Sequence, residues 1–146
     1  MSRSASDNAL PPYAKQEIFK KAYDTINEFI NSGNLIGAFV LSFSILEDRL
    51  AAAVVVCSKA KQSKLNVNNV SKMLFKQRVD HLLRIQSIDD FLYNELINAA
   101  YLRNELTHKM MWRIDVFEVA HVMKFRKLIN KIQTVQRRHA RQLATP

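Results

Sequence analysis

The chain has very few of the residues that interrupt helices or cross-link chains. Of its 146 residues only two are Gly, three are Pro and one is Cys, and the Pro residues stand near the ends, at Pro11, Pro12 and Pro146. An interior without Pro lacks the strongest helix breaker, so the composition predicts an all-α fold. The single cysteine, Cys57, leaves no partner for an intrachain disulfide. We expect it to be a small buried apolar residue.

Long apolar stretches are also missing. The longest one, from Leu35 to Leu46, covers about a dozen residues, which is core length and too short to cross a bilayer. The start of the chain is polar and has no apolar segment of the kind found in signal peptides. We therefore expect a cytoplasmic protein with no membrane partner, and the length suits one domain.

Basic residues outnumber acidic ones. The chain has 22 Lys and Arg against 13 Asp and Glu, a formal net charge of +9. Such an excess predicts a polyanionic partner but does not distinguish RNA, DNA and acidic proteins. The four His and the scattered carboxylates show no recognised spacing of metal ligands, so neither a metal nor a cofactor is expected.

Apolar residues recur at helical spacing in five segments. The predicted helices cover about residues 14–31, 35–59, 71–85, 88–108 and 115–135, with Ser71 and Asp115 as the caps of the third and the fifth. Short connections between them favour an up-and-down bundle of about five helices. Residues 1–13 are expected to be a disordered lead, residues 14–136 one helical domain, and residues 137–146 a basic tail.

The most informative segment is Arg103-Asn104-Glu105-Leu106-Thr107-His108, at the end of the fourth predicted helix. An imidazole titrates near neutrality and can move the proton of a ribose 2′-hydroxyl or of a leaving oxygen. A guanidinium can hold two phosphate oxygens and offset charge in the transition state. Together with the carboxamide of Asn104, these groups are sufficient for RNA cleavage without a metal, leaving a 2′,3′-cyclic phosphate and a 5′-hydroxyl.

The spacing restricts how one helix could use these groups. Asn104 and His108 are four residues apart and share a face, so Asn104 can orient the ring of His108. Arg103 lies about 140° away from His108 around an ideal helix. Either the helix loosens near Thr107 and His108, or two copies of this helix pack together and complete the site across their interface.

The segment resembles the Arg-polar-x(3)-His signature of the HEPN superfamily, small helical domains many of which are ribonucleases. The acidic-in-apolar run Ile45-Leu46-Glu47-Asp48-Arg49-Leu50 is similar to the second helix common in that superfamily. The resemblance covers roughly residues 14–135, and outside the fourth helix it is one of pattern. It implies a homodimer in which Arg103 and His108 of two protomers converge in a cleft.

The candidate site residues follow from this segment and from the charge of the chain. Arg103 and His108 are the candidate catalytic residues with Asn104 beside them, and Glu47 and Thr107 are supporting residues. Given the net charge, RNA is expected to contact the basic residues Lys59, Lys61, Lys64, Lys109 and Arg113, although such patches are also typical of a solvated surface. Small standalone nucleases of this kind often serve as toxins or in phage defence, which would add an antitoxin or another regulatory protein as a partner. The toxin subgroup that is paired with a nucleotidyltransferase carries Tyr two residues after the His; here Met110 stands there, so regulation through that tyrosine is not expected.

Two other interpretations remain open. In the first, the segment is structural: Arg103 pairs with Glu47 or Glu105, Asn104 ends the helix, and His108 is a favourable cation at a helix C-terminus. In the second, Phe75-Lys76-Gln77-Arg78-Val79 followed by the segment 101–108 is similar to the mannitol operon repressor family, helical proteins with no established catalytic role. That similarity implies a non-catalytic regulator or adaptor that binds a nucleic acid or a protein.

Overall fold

A computed structural model of the chain describes residues 12–110 and 113–144. Within that range it forms five α-helices and no strand, which confirms the predicted all-α class. The helices are α1 (Pro12–Asn31), α2 (Leu35–Ala60), α3 (Phe75–Arg84), α4 (Asp90–Lys109) and α5 (Val119–Ala144). Two short 3₁₀ segments, Val67–Lys72 and Ile114–Val116, precede α3 and α5.

The turn between α1 and α2 depends on two residues. Gly33 has a φ of +80°, a conformation that side-chain-bearing residues rarely adopt, and it lets α1 stop at Asn31. Asn34 then caps α2, since its side-chain oxygen accepts a hydrogen bond of 2.9 Å from the backbone N–H of Gly37. Two long helices are thereby joined tightly enough to pack against each other.

Helix α2 is the centre of the bundle and packs most extensively against α5. An aromatic cluster fills this contact: the ring centroid of Phe39 lies 4.8 Å from that of Phe117 and 5.0 Å from that of Phe125. Phe43, one turn further along α2, lies 5.2 Å from Phe125 and 5.3 Å from Phe75. Because the beginning of α2 meets the beginning of α5, these two helices run in the same direction.

Helix α4 runs opposite to α5. The ammonium of Lys131 binds the carboxylate of Glu95 at 2.6 Å, and Arg138 lies close to Ser87, just before α4. Residue numbers thus rise along α5 as they fall along α4. Met110 and His108 end α4 near the start of α5, whereas Ser87 and Arg138 mark the opposite end of the bundle.

Two predicted caps are wrong. Ser71 lies inside the 3₁₀ segment, where its hydroxyl donates to the carbonyl of Asn68, and α3 starts four residues later at Phe75. Asp115 lies in the other 3₁₀ segment and binds Arg113, so α5 starts at Val119. In both places a short 3₁₀ turn uses the polar residue first, because Ser and Asp side chains bond readily to groups nearby in the chain.

The chain beyond residue 136 continues α5 as far as Ala144. Within this stretch His139 is buried and its Nδ1 lies 2.8 Å from the carbonyl oxygen of Val135. The residues predicted to be a basic tail are thus helical up to residue 144. The predicted disordered lead lies almost wholly outside the described residues, which begin at Pro12. Among the described helices none is both long and apolar enough to cross a membrane.

Cys57 is buried, as expected, and so is His81. Burial raises the pKa of the Cys57 thiol above its ordinary value. The Oγ of Ser58 lies 2.9 Å from Nε2 of His81, at hydrogen-bonding distance, and joins α2 to α3. His81 is therefore a core histidine with a polar partner.

Burial makes His81 a source of acid sensitivity. Burial, and then the charge of Arg84, lower the pKa of His81 below its ordinary value of 6.5. As the pH falls below 6.5, the unfolded chain binds a proton on His81 that the folded chain does not. The contribution of His81 to the free energy of unfolding is therefore complete above this pH and declines below it. We expect the free energy of unfolding in urea to fall between pH 7.5 and pH 5.5, and to fall less in His81→Gln. An equal decline in both proteins would contradict this.

Candidate functional site

The segment 103–108 forms the last turns of α4. This helix begins with Asp89, whose side chain accepts a 2.8 Å hydrogen bond from the N–H of Leu92, and continues unbroken to Lys109. Its core-facing residues follow alternating steps of four and three: Leu92, Leu96, Ala99, Leu106. Arg103 falls on the same stripe, between Ala99 and Leu106. The hydrophobic pattern of the helix thus turns Arg103 toward the bundle.

An aromatic ring holds Arg103. Its guanidinium carbon lies 4.7 Å from the ring centroid of Phe43, and its Nε is buried without a hydrogen-bond partner. Phe43 is itself fixed between Phe75 and Phe125. A cation over an aromatic face at this distance is attracted by the ring's quadrupole. The guanidinium is thus positioned by packing and keeps donors available.

The two carboxylates that could have neutralised Arg103, those of Glu47 and Glu105, form no ion pair with it. Glu105 binds Lys109 at 2.8 Å, and Asp48, the neighbour of Glu47, binds Arg49 at 2.7 Å. The backbone carbonyl of Glu47 accepts a hydrogen bond of 3.5 Å from the guanidinium of Arg78. No carboxylate within the described parts of the chain forms an ion pair with Arg103. The alternative in which Arg103 pairs with Glu47 or Glu105 is therefore wrong.

Asn104, Thr107 and His108 are exposed on the outward side of α4. Within residues 12–110 and 113–144, no side chain or backbone group hydrogen-bonds to the side chain of Asn104 or His108. Asn104 lies one turn before His108 on the same face, as predicted. Neither group is held in place within one copy of the chain, and both are open to a ligand or a second chain.

One copy of the chain does not bring Arg103 and His108 together. The helix does not loosen at Thr107, since the N–H of Met110 still donates to the carbonyl of Leu106 at 2.9 Å. On an intact helix, five residues correspond to a rise of about 7.5 Å and a rotation of about 140°. Arg103 therefore faces Phe43 while His108 faces outward. Of the two arrangements that the sequence allowed, the loosened helix is wrong.

The five cations predicted to contact RNA fall into two groups. Lys109 and Arg113 lie near His108, and both are ion-paired: Lys109 with Glu105, and Arg113 with Asp115 at 3.0 Å. The guanidinium of Arg113 holds the pKa of Asp115 below its ordinary value. Lys59, in the last turn of α2, and Lys61 and Lys64, just after it, lie where Ser58 meets His81, at the opposite end of the bundle. No single patch contains all five.

Sequence reasoning overlooked the basic face of α5. The helix contains seven Lys and Arg and no acidic residue, yet only its last part was recognised as basic. The steps of three, four and seven between Lys124, Lys127, Lys131 and Arg138 were the signal that could have revealed it.

No protein-family model matches this chain, and neither the curated proteins nor the solved structures contain a match. Among the described residues, no group of three or more His, Cys, Asp and Glu is arranged to hold a metal ion. Interpretation of the site depends on the geometry of α4 and its surroundings.

Proposed function

We propose that the chain is a HEPN-like, metal-independent endoribonuclease that acts as a homodimer. The observation that carries the proposal is the state of Arg103, a guanidinium held over Phe43 that no carboxylate of the described residues neutralises, five residues before an exposed His108. An arginine retained only for structure would ordinarily be paired when it is partly buried. A guanidinium that is fixed and still free to donate suits a phosphate.

In the proposed reaction, the 2′-oxygen of a ribose attacks the adjacent phosphorus as the bond from phosphorus to the 5′-oxygen breaks. His108 takes the proton of the 2′-hydroxyl or supplies one to the leaving 5′-oxygen, and Asn104 orients the imidazole. Arg103 binds the non-bridging oxygens, where charge grows in the pentacoordinate transition state. The products are a 2′,3′-cyclic phosphate and a 5′-hydroxyl, and no co-reactant is consumed.

A second copy of the chain would provide the partner that Arg103 and His108 need, because one helix keeps them apart. The outward face of α4 carries the neutral residues Asn94, Asn98, Tyr101 and Asn104 in a strongly basic chain, with Tyr101 73% exposed. Two copies could approach on this face without repulsion between cations. A two-fold axis there would oppose each His108 to the partner's α4; because Arg103 faces Phe43, on the other side of that helix, its guanidinium would have to turn away from the ring to reach the shared cleft.

A cytoplasmic role as a toxin or a phage-defence effector fits such an enzyme. An antitoxin or another regulatory protein would then restrain it by covering the exposed face of α4. RNA is the proposed substrate.

The direct test is incubation of the purified protein with mixed tRNA and mRNA in EDTA. We expect cleavage to persist in the chelator, because no step uses a metal, and the products to carry 2′,3′-cyclic phosphate ends. RNA with a 2′,3′-cyclic phosphate end cannot be ligated until the phosphatase activity of polynucleotide kinase removes the phosphate. Contaminating nucleases that leave 3′-hydroxyls give ends that ligate without this treatment, so the two reactions can be told apart. Intact RNA across varied substrates, with a folded dimer in the tube, would contradict the proposal.

A second candidate is a non-catalytic regulator or adaptor that binds through the same surface, as in the mannitol operon repressor resemblance. The observation in its favour is that Arg103 lies on the core-facing stripe of α4 and makes the contact that a packing arginine makes. Such a protein would bind its partner without altering it. Binding of RNA or of a protein by a chain that never cleaves would favour this candidate.

A further inference from the structure

The outward face of α5 carries a row of cations. Lys124, Lys127, Lys131 and Arg138 follow one another at steps of three, four and seven residues, so they line one face of the helix, and all are exposed. From Lys124 to Arg138 the row is about 21 Å long at the rise of an α-helix. Thr134 occupies the missing position, so the row is continuous and polar.

Carboxylates are scarce along this row. Some cations on other helices are matched by a carboxylate one turn away, as in Lys76 with Asp80 at 3.0 Å and Lys109 with Glu105 at 2.8 Å. Helix α5 has no acidic residue of its own, and among the described residues the one ion pair to the row is that of Glu95 with Lys131. Within the described chain, no carboxylate pairs with Lys124, Lys127 or Arg138. A face that served only to keep the helix hydrated would ordinarily mix both signs.

A cavity of about 610 Å³ opens beside the same row, between the start of α4 and the second half of α5. Its wall includes Phe91, Lys131, Thr134 and Arg138. Phe91 is 69% exposed, although a large apolar side chain gains from burial, and the ammonium of Lys131 lies 5.3 Å from its ring centroid. Asp89 and Glu95 also line the cavity and Lys131 is paired with Glu95, so Arg138 is the cation left to bind a phosphate beside the exposed ring and the Thr134 hydroxyl. A ring beside a cation and a hydroxyl suits a nucleobase with its phosphate.

We propose that this face of α5, with the cavity at Phe91, binds single-stranded RNA. Lys124, Lys127 and Arg138 hold phosphates, and a base stacks against Phe91 in the cavity. A single strand fits better than a duplex, because only unstacked bases can enter a cavity of this kind. The cationic row and the exposed ring of Phe91 lie side by side and indicate the same ligand.

The direction of the row connects this surface to the proposed active site, and in that respect the inference rests on the proposed function. Because α5 runs opposite to α4, Lys124 lies toward the end of α4 that carries His108, and Arg138 lies at the other end. A strand bound along the row would extend toward His108. The cavity would thus hold a nucleotide several positions away from the scissile bond.

The test is binding of a fluorescent single-stranded RNA to the full chain in EDTA, followed by anisotropy over a range of salt concentrations. His108→Ala is present in every protein, so that cleavage cannot remove the ligand. The α5 variant carries Lys124→Glu, Lys127→Glu and Arg138→Glu. The matched control carries Lys20→Glu, Lys21→Glu and Lys72→Glu, which make the same change in charge on exposed residues of α1 and of the 3₁₀ segment leading into α3.

We expect the α5 variant to lose at least about tenfold in affinity and to reduce the slope of log affinity against log salt by about 2, because three phosphate contacts to a single strand are removed. The control should lose much less. Phe91→Ala should weaken binding by about tenfold without changing the salt slope, since stacking involves no counterion. Equal losses in the α5 variant and the control would overturn the inference. Tighter binding of duplex RNA or of polyglutamate than of single-stranded RNA would also overturn it.

The outcome separates this inference from the proposed function. If the chain with native His108 cleaves RNA and the α5 variant binds and cleaves as well as wild type, the proposed RNA-binding surface is wrong and the proposed nuclease activity is supported. If RNA binds through α5 but the chain with native His108 never cleaves it, the proposed nuclease activity is wrong and the proposed RNA-binding surface is supported. Circular dichroism of each variant establishes that a loss of binding does not come from unfolding.

Discussion

Replacing His108 with Ala is expected to lower the rate of RNA cleavage by about 10²- to 10⁴-fold, the usual contribution of a general acid or base. Arg103→Ala should lower it by about 10²- to 10³-fold, because it removes the donor at the developing charge. Arg103→Lys should recover only part of the loss, since an ammonium cannot hold two oxygens in a fork. The measurement is the single-turnover rate on a labelled RNA in EDTA.

The arrangement across two copies gives a sharper test. If each site takes Arg103 from one protomer and His108 from the other, a mixed dimer of Arg103→Ala and His108→Ala has one site with both residues intact. Random mixing makes half of the dimers mixed, each with one of two sites restored, so about a quarter of the wild-type rate should return. If both residues acted within one protomer, mixing two inactive proteins would restore nothing.

A matched histidine variant controls for nonspecific effects. His121→Ala removes the same side chain from the start of α5, where its Nδ1 accepts a hydrogen bond of 3.1 Å from the N–H of Glu118. We expect this variant to retain cleavage. An equal loss of activity in His121→Ala and His108→Ala would show that the effect is structural and would count against His108 as the proton carrier.

The helices could be predicted from the sequence because their apolar spacing is regular and Pro is absent from the interior. Their starts could not be predicted equally well. Ser71 and Asp115 are both good cap residues by type, but each lies in a 3₁₀ turn before its helix, and only the three-dimensional path distinguishes a cap from a residue in a preceding turn. Asn34 and Asp89 do cap helices, since no such turn precedes them.

Part of the geometry of the candidate site could be predicted from the sequence. The angle of about 140° between Arg103 and His108 follows from helix geometry alone. The contact of Arg103 with Phe43 depends on how α2 meets α4, which residues sixty positions apart in sequence do not reveal. The face of α5 was overlooked for a related reason. Its significance depends on which carboxylates of neighbouring helices pair with it, and among the described residues Glu95 is the one that does.

The second large effect concerns stability. Phe125 is fully buried on α5, and its ring lies 5.0 Å from that of Phe39 and 5.2 Å from that of Phe43, both on α2. Phe125→Ala should lower the free energy of unfolding by about 3–5 kcal/mol, from lost burial and the cavity left between two long helices. Since a domain of this size has about 5–15 kcal/mol in total, much of its stability would be lost. Urea unfolding followed by circular dichroism measures the change.

Phe91→Ala is the matched control for this substitution, because it removes the same ring from an exposed position. It should change the free energy of unfolding by no more than about 0.5 kcal/mol. Similar losses in both variants would show that the aromatic cluster is not the centre of the core.

Phe125 also connects stability to the proposed site, because it fixes the ring of Phe43 on which Arg103 rests. Phe125→Leu keeps most of the volume and should cost less than about 1.5 kcal/mol once the core repacks. It nevertheless removes the edge contact that sets the tilt of Phe43. If Arg103 binds the phosphate from its place over that ring, Phe125→Leu should slow cleavage at a temperature where the protein remains folded, with little change in RNA affinity. Unchanged cleavage in this variant would show that the position of Arg103 does not depend on the core beneath it.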